Sequence, residues 1–234
     1  MARQIKSAEQ RRGELLDSAQ ALFFERGYDK TTVNELIQHA GLSKGGFYHH
    51  FTSKEEVLEA LVERLASASM AQLSDVMESP DLDALARLNA FLSRARKMKV
   101  EQVPQMRGLF ETLFQPGNQV LYHRINTASM AVVTPLLARI IEQGRQEGRF
   151  DVPDAHLAAE TILQLGAASY RTVARAMNAA GTDEADTAAD ELDQALRFQG
   201  VVVDRILGLA DGSVDYVEDG FSRAIVGALA APSQ

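Results

Sequence analysis

The stretch from Thr31 to Glu55, TTVNELIQHAGLSKGGFYHHFTSKE, decides the fold of this chain. Thr32 stands before an apolar-periodic run and has Glu35 three places on, so hydroxyl and carboxylate can each satisfy an amide of one first turn. A helix is expected to start at Val33, with Leu36, Ile37 and Ala40 at helical spacing. Gly41 then supplies the positive φ that ends a helix without steric cost. Ser43 caps a second helix on which Phe47 and Phe51, four apart, face the first, while Lys44, Gly45, Gly46, Tyr48 and His49 point outward or sideways. Ser53 and Glu56 make a further capping box, which opens a third element running through Val57, Leu58, Leu61 and Leu65.

Two short helices around one tight turn form a helix-turn-helix, with a buried face and a free one on the second helix. Gly45 and Gly46 each cost roughly 1 kcal/mol in a helix, which is expected where bare backbone must approach something closely, such as a base edge in the major groove. The other reading of Lys-Gly-Gly is a loop marker with the aromatics simply packing. Two capping boxes, the turn glycine and phased apolar residues agree on the helical one.

Several segments resemble the amino-terminal signature of the TetR/AcrR family of bacterial transcriptional regulators, over residues 9 to 65: Gly27-Tyr28, Thr31-Thr32-Val33, Ala40-Gly41-Leu42-Ser43-Lys44-Gly45, Phe47-Tyr48, and His50-Phe51 with Ser53-Lys54-Glu55. A weaker echo, Ile141-Glu142-Gln143-Gly144 with Glu147-Gly148-Arg149-Phe150, is similar to the family's helix-ending turn before its dimerisation helices. The resemblance implies an all-α homodimer: a helix-turn-helix DNA-binding head, residues 1–54, and a larger helical effector-binding and dimerisation domain, residues 55–234. It also implies that Thr32, Ser43, Lys44, Gly45, Tyr48, His49, His50 and Lys54 touch double-stranded DNA at a palindromic operator. Their chemistry suits the role. Lys44 can donate to guanine or phosphate, Gly45 lets backbone near a base, and Tyr48, His50 and Lys54 suit phosphate. His49 either reaches a base edge or is a solvated surface residue. Gly46 offers no side chain for base-specific contact.

The chain has 234 residues, 46% of them hydrophobic, enough to bury a core in two domains of unequal size. Its net charge of -8 at first argues against DNA, whose binding rests on neutralising phosphates. The charge is unevenly divided, however. Residues 1–54 hold 8 Lys+Arg against 6 Asp+Glu, leaving residues 55–234 with 16 of the 24 basic and 26 of the 32 acidic residues. Only the head is basic, and Arg3, Lys6, Arg11, Arg12, Lys30, Lys44 and Lys54 can line its DNA-facing side. Arg11 and Arg12 are equally readable as a solvated helix face.

The most apolar stretch, Ser129 to Ile141, is interrupted by Thr134, Pro135 and Arg139, so no segment reaches the roughly 18 apolar residues needed to cross a bilayer. The basic, polar beginning lacks the apolar core of a secretion signal, so a cytoplasmic location is expected. The absence of cysteine excludes disulfides and thiolate metal sites. His39, His49, His50, His123 and His156 form no metal-binding signature, and no phosphate loop, nucleophile elbow or dinucleotide fingerprint occurs. Neither an enzyme nor a cofactor is expected.

Every long segment after Lys54 reads as helix. The spacing predicts helices from Ser53 to about Met77, from Asp81 to Lys99, a short one from Pro104 to Phe114 stopped at Pro116-Gly117, and a long one from Gln119 to about Gln146 that Pro135 bends or divides. Others run from Pro153 to Asn178, Ala188 to Leu209 and Asp215 to Leu229. The resemblance points to the helices around Asp154 to Asn178 and Ala188 to Leu209 as the dimer interface. Their stripes, Leu157, Ala158, Thr161, Leu165 and Ala168, with Leu192, Ala195, Leu196, Val203 and Ile206, fit either an interface or intramolecular core.

Phe91, Met98, Met106, Phe110, Phe114, Tyr122, Met130 and Tyr170 are candidate ligand-pocket walls, or else core, and His123, Arg124 or Gln164 could anchor a polar end. The function expected is a repressor released from its operator by a small-molecule effector. A constitutive DNA-binding regulator and a helical protein-binding adaptor remain open.

Overall fold

A computed structural model describes residues 7–115 and 117–230. Among them it contains α-helices and no strand. The elements run α1 (Ala8–Arg26), α2 (Val33–His39), α3 (Lys44–Tyr48), α4 (Lys54–Ala71), α5 (Ser74–Glu78), α6 (Ala84–Leu113), α7 (Gln119–Gln146), α8 (Ala155–Ala168), α9 (Tyr170–Ala179), α10 (Ala185–Ile206) and α11 (Phe221–Ala230). Arg3, Lys6 and the Pro116 of the expected stop lie outside the described residues.

The chain divides into two compact units, and α4, α6 and α7 contribute residues to both. Unit 1 comprises residues 1–65 and 106–128, so it is larger than the stretch up to residue 54. Its core gathers Leu15, Phe23, Leu36, Phe47, Phe51 and Leu58, closed by Leu109, Leu113 and Ile125 from the far part of the chain. A head of this size has little apolar surface to bury by itself, and α6 and α7 add to it. Unit 2 comprises residues 66–105 and 129–234. Leu73, Leu88, Ile140, Ile141, Ala159 and Leu207 are among the members of its main core, and α9, α10 and α11 share a smaller one around Ala176, Ala188 and Leu192.

The helix-turn-helix forms as its sequence dictates. Thr32 caps α2 reciprocally with Glu35: the Glu35 amide donates to Thr32 Oγ1 at 3.3 Å and the Thr32 amide to Glu35 Oε2 at 2.8 Å. Gly41, at φ 63°, ends the helix. The Leu42 amide reaches back to Ile37 O and the Gly41 amide to Gln38 O, the paired bonds that satisfy the last carbonyls of a helix. The box at the start of α4 differs from expectation. The Glu56 amide donates to Ser53 Oγ, but the Glu56 carboxylate accepts from the amide and hydroxyl of Thr52, at 2.6 and 2.7 Å. The cap therefore straddles two residues.

Elsewhere tertiary contacts override local punctuation. The two expected helices Asp81–Lys99 and Pro104–Phe114 are one, α6, which runs through Pro104. Proline there loses one amide bond, yet its apolar stripe continues in phase from Leu88 to Val103 and Leu109, all buried. α7 likewise runs undivided through Pro135. The expected helix from Pro153 to Asn178 is divided at Ser169, because the Gln199 side chain of α10 donates to Leu165 O at 2.8 Å. That carbonyl is the one the Ser169 amide would use in a continuous helix, and the amide bonds Gly166 O instead. α11 begins at Phe221 rather than Asp215. Asp204 binds the amides of Gly212 and Val214, Asn89 binds that of Asp215, and Arg96 holds the carbonyls of Asp215 and Tyr216, so this segment cannot wind.

Candidate nucleic-acid interface

The free side of the second short helix is built by the burial of its other side. Phe47 is fully buried and Phe51 nearly so, which turns Lys44, Gly45, Tyr48 and His49 outward. Tyr48 is 50% exposed and is braced edge-on against Phe47 with ring centroids 5.3 Å apart. Lys44 is exposed, and no hydrogen bond or ion pair among the described residues holds it. Thr32 and Ser43 are exposed as well, each with its hydroxyl engaged in a helix cap, Ser43 Oγ accepting from the Gly46 amide at 3.1 Å.

The two glycines differ in a way their adjacency conceals. A β-carbon at Gly46 would stand 3.3 Å from Ser43 Oγ, crowding the cap of its own helix. At Gly45 a β-carbon would meet nothing within 4 Å. Gly46 thus has a reason inside the fold, whereas the bareness of Gly45 has none there.

His50 lies half-buried beside His49, ring centroids 4.9 Å apart. Burial lowers its pKa, and the positive charges of His49, Arg12 and Arg11 lower it further. Arg12 places its guanidinium 5.2 Å from the centre of the Phe51 ring, joining α1 to this basic edge.

Lys54 departs from expectation. Its ammonium donates to Tyr28 O at 2.9 Å and Thr31 O at 3.0 Å and lies 4.0 Å from the centre of the Tyr28 ring. Burial lowers its pKa against the opposing pull of Asp29, Glu55 and Glu35. In the DNA-free chain two of its three donors and its charge are directed into unit 1, where a phosphate contact was expected of this side chain. Around it, Tyr28 Oη donates to Glu55 at 3.1 Å, Thr112 Oγ1 to Asp29 at 3.3 Å, and Arg124 pairs with Glu59. Burial, then Glu55, pushes the Tyr28 phenol well above its ordinary range. The sequence carries Tyr28 and Lys54 openly, but no local spacing signals their pairing.

The pocket candidates separate between the units. Phe110, Phe114 and Tyr122 belong to unit 1, where the ring centroids of Phe110 and Phe114 stand 6.5 Å apart and those of Phe114 and Tyr122 5.3 Å apart. Met106 packs on the same core, and His123 and Arg124 belong to that unit too. Phe91 and Met98 are core members of unit 2, to which Met130, Gln164 and Tyr170 also belong. The stripes on α8 and α10 separate likewise. Ala158, Leu192 and Val203 are buried within this chain, while Leu157, Thr161 and Ala168 are exposed, as is Phe198, which the stripes did not include.

Residues 15–61 match the family model described as bacterial regulatory proteins, tetR family. The chain is 44% identical over 69 residues to the HTH-type transcriptional repressor KstR2 of Mycobacterium tuberculosis, a match covering 30% of this chain and 34% of that one. The chain thus spans about a third of the length of the curated repressor it matches at that identity. Over 165 residues it is 28% identical to the nucleoid occlusion factor SlmA of Vibrio atlanticus, covering 70% and 84% of the two chains. Its fold is similar to that of RolR solved with resorcinol, with a TM-score of 0.61, 21% identity and 94% of each chain covered. The family resemblance and the all-helical fold with an amino-terminal helix-turn-helix are both borne out.

Proposed function

We propose that this chain, whose amino-terminal head belongs to the tetR family of bacterial regulatory proteins, is a homodimeric transcriptional repressor that leaves a palindromic operator when its body takes up a small molecule. The observation that carries the DNA-binding part is the outward row of Lys44, Gly45 and Tyr48 on α3, continued by His49 at its C-cap, opposite a side anchored by Phe47 and by Phe51 just past the helix. That row is small, basic and hydrogen-bonding, the chemistry a major groove accepts. Thr32, Ser43 and His50 flank it. The functional division then runs at residue 54, with the DNA-reading residues before it and the effector and dimer functions after it.

Dimerisation follows from the geometry of DNA. One recognition helix makes too few contacts for specificity, and two heads meet successive turns of one groove face when they stand about 34–36 Å apart. The exposed apolar residues Leu157 on α8 and Phe198 on α10, 60% and 69% accessible, give unit 2 a surface for a second copy. Among the described residues no helix is long and apolar enough to cross a membrane, which supports work in the cytoplasm, where the DNA is. Effector control adds a coupling between two sites, so the small molecule and DNA weaken each other's binding by the same factor.

The test is a gel shift of the purified protein on the promoter fragment beside its own gene, at several salt concentrations and with a metabolite and drug panel. A salt-sensitive, palindrome-dependent shift that some compounds abolish is expected. A shift that no compound releases removes the effector part, and no shift on any promoter fragment removes the repressor reading.

A further inference from the structure

α6 presents its solvent side through Arg94, Lys97, Glu101 and Pro104, all exposed. Lys99 stands half a turn from that line. At about 100° per residue it lies within about 20° of Leu88 and Leu92, and about 40° from Ala95 and Val103, in the middle of the stripe the helix turns inward. Leu88 and Val103 are 2% and 5% accessible, and Met98 beside Lys99 is 8% accessible. Lys99 nevertheless remains accessible to solvent. A lysine at an inward position that is exposed and yet desolvated by the protein around it fits a recess inside unit 2 rather than its outer surface. The surrounding protein desolvates the ammonium enough to lower its pKa, with no opposing charge acting on it.

The buried arginines of α6 in unit 2 both have partners within the chain. Arg87, about 120° round the helix from Lys99, donates to four carbonyls and to Gln143, and Arg96, about 60° away, meets Glu218 and the carbonyls of Asp215 and Tyr216. Among the described residues Lys99 has no hydrogen bond and no ion pair. An ammonium removed from bulk water without a counter-charge is costly, and an arrangement that keeps one points to a counter-charge that arrives from outside.

We propose that Lys99 is the anchor for an anionic effector: its ammonium pairs with the carboxylate of a small organic acid whose apolar remainder lies along Leu92, Ala95 and Val103. This rests on the reading of the body as effector-binding and narrows it to a chemical class. The pairing is a charge-assisted hydrogen bond in a partly desolvated setting, so the acid binds about ten- to a hundredfold more tightly than its neutral amide.

The experiment titrates the full-length protein with straight-chain alkanoates of four to twelve carbons and benzoate, and with the matching amides, following melting temperature and heat of binding. Wild type is expected to bind at least one acid at least tenfold more tightly than its amide. Lys99→Met abolishes that preference and Lys99→Arg keeps it. Acid and amide binding equally well, or Lys99→Met retaining the preference, overturns the proposal and leaves the effector reading standing. A wild type that answers neither series overturns the proposal, and the effector reading is then decided by the metabolite and drug panel. Without ligand, Lys99→Met is expected to melt no lower than wild type, since it removes an unpaired desolvated charge. A marked fall, or failure to fold, means the ammonium already has a protein partner and overturns the proposal too.

Discussion

Lys54, the first residue of α4, lays its ammonium 4.0 Å from the centre of the Tyr28 ring and bonds the Tyr28 carbonyl at 2.9 Å. With its second bond to Thr31 O it ties the start of α4 to the turn between α1 and α2. Replacing it by methionine keeps the stem but removes two charged hydrogen bonds and the ring contact. Lys54→Met is expected to destabilise the head by about 1–3 kcal/mol, measured by urea unfolding. Because that charge is directed inward, the slope of log affinity for DNA against log salt should stay as in wild type; a slope lower by about 0.9 would return Lys54 to the phosphates.

Lys44 is the converse case, exposed and unengaged by the fold. Lys44→Ala should leave urea unfolding unchanged within about 0.5 kcal/mol, as surface substitutions do. It should erode discrimination between operator and unrelated DNA by about 1–3 kcal/mol in competition binding. Equal weakening on all sequences would make Lys44 a phosphate contact instead.

Gly45 separates stability from recognition. A β-carbon there meets nothing in the free protein, so Gly45→Ala should stabilise the head by about 0.5–1 kcal/mol through helix propensity. If backbone approaches a base at this point, the same variant loses operator affinity. A stabilised variant with wild-type affinity would show that the groove leaves room here.

Acid should loosen the head through its caps. The Thr32 amide and hydroxyl lower the pKa of Glu35, and those of Thr52 lower that of Glu56. A carboxylate whose folded pKa is depressed contributes stability that is complete above its unfolded value, about 4.3, and is lost as pH falls through the folded one. Stability should therefore be level near neutrality and decline below about pH 4.5. In Glu56→Gln the decline should be shallower, read from melting temperature between about pH 3 and 7; an unchanged profile would mean that the cap carries no linked proton.

Phe198, 69% accessible in the single chain, reports on the dimer. Phe198→Glu puts a charge where a second copy is proposed to pack, and sedimentation velocity should show a monomer with unchanged helical circular dichroism. A variant that stays dimeric at micromolar concentration would move the interface off this side of α10.

Sequence alone determined the helix-turn-helix, down to the start of α2 at Val33 and the positive φ at Gly41, because each signal acts within one helical turn. It likewise put Phe47 and Phe51 inside and Lys44, Gly45 and Tyr48 outside, since helical phase fixes sidedness once one side is apolar. Only the tertiary structure decided that Lys54 turns inward to carbonyls 23 and 26 residues away, and that Gln199 divides α8 from α9 across 34. It alone decided that Arg96 holds the segment before α11 open across 119, and that α6 passes through Pro104. Those outcomes depend on which distant group reaches a given carbonyl or fills a given stripe. A carbonyl takes the donor that the packed core brings to it, and local spacing does not encode that choice.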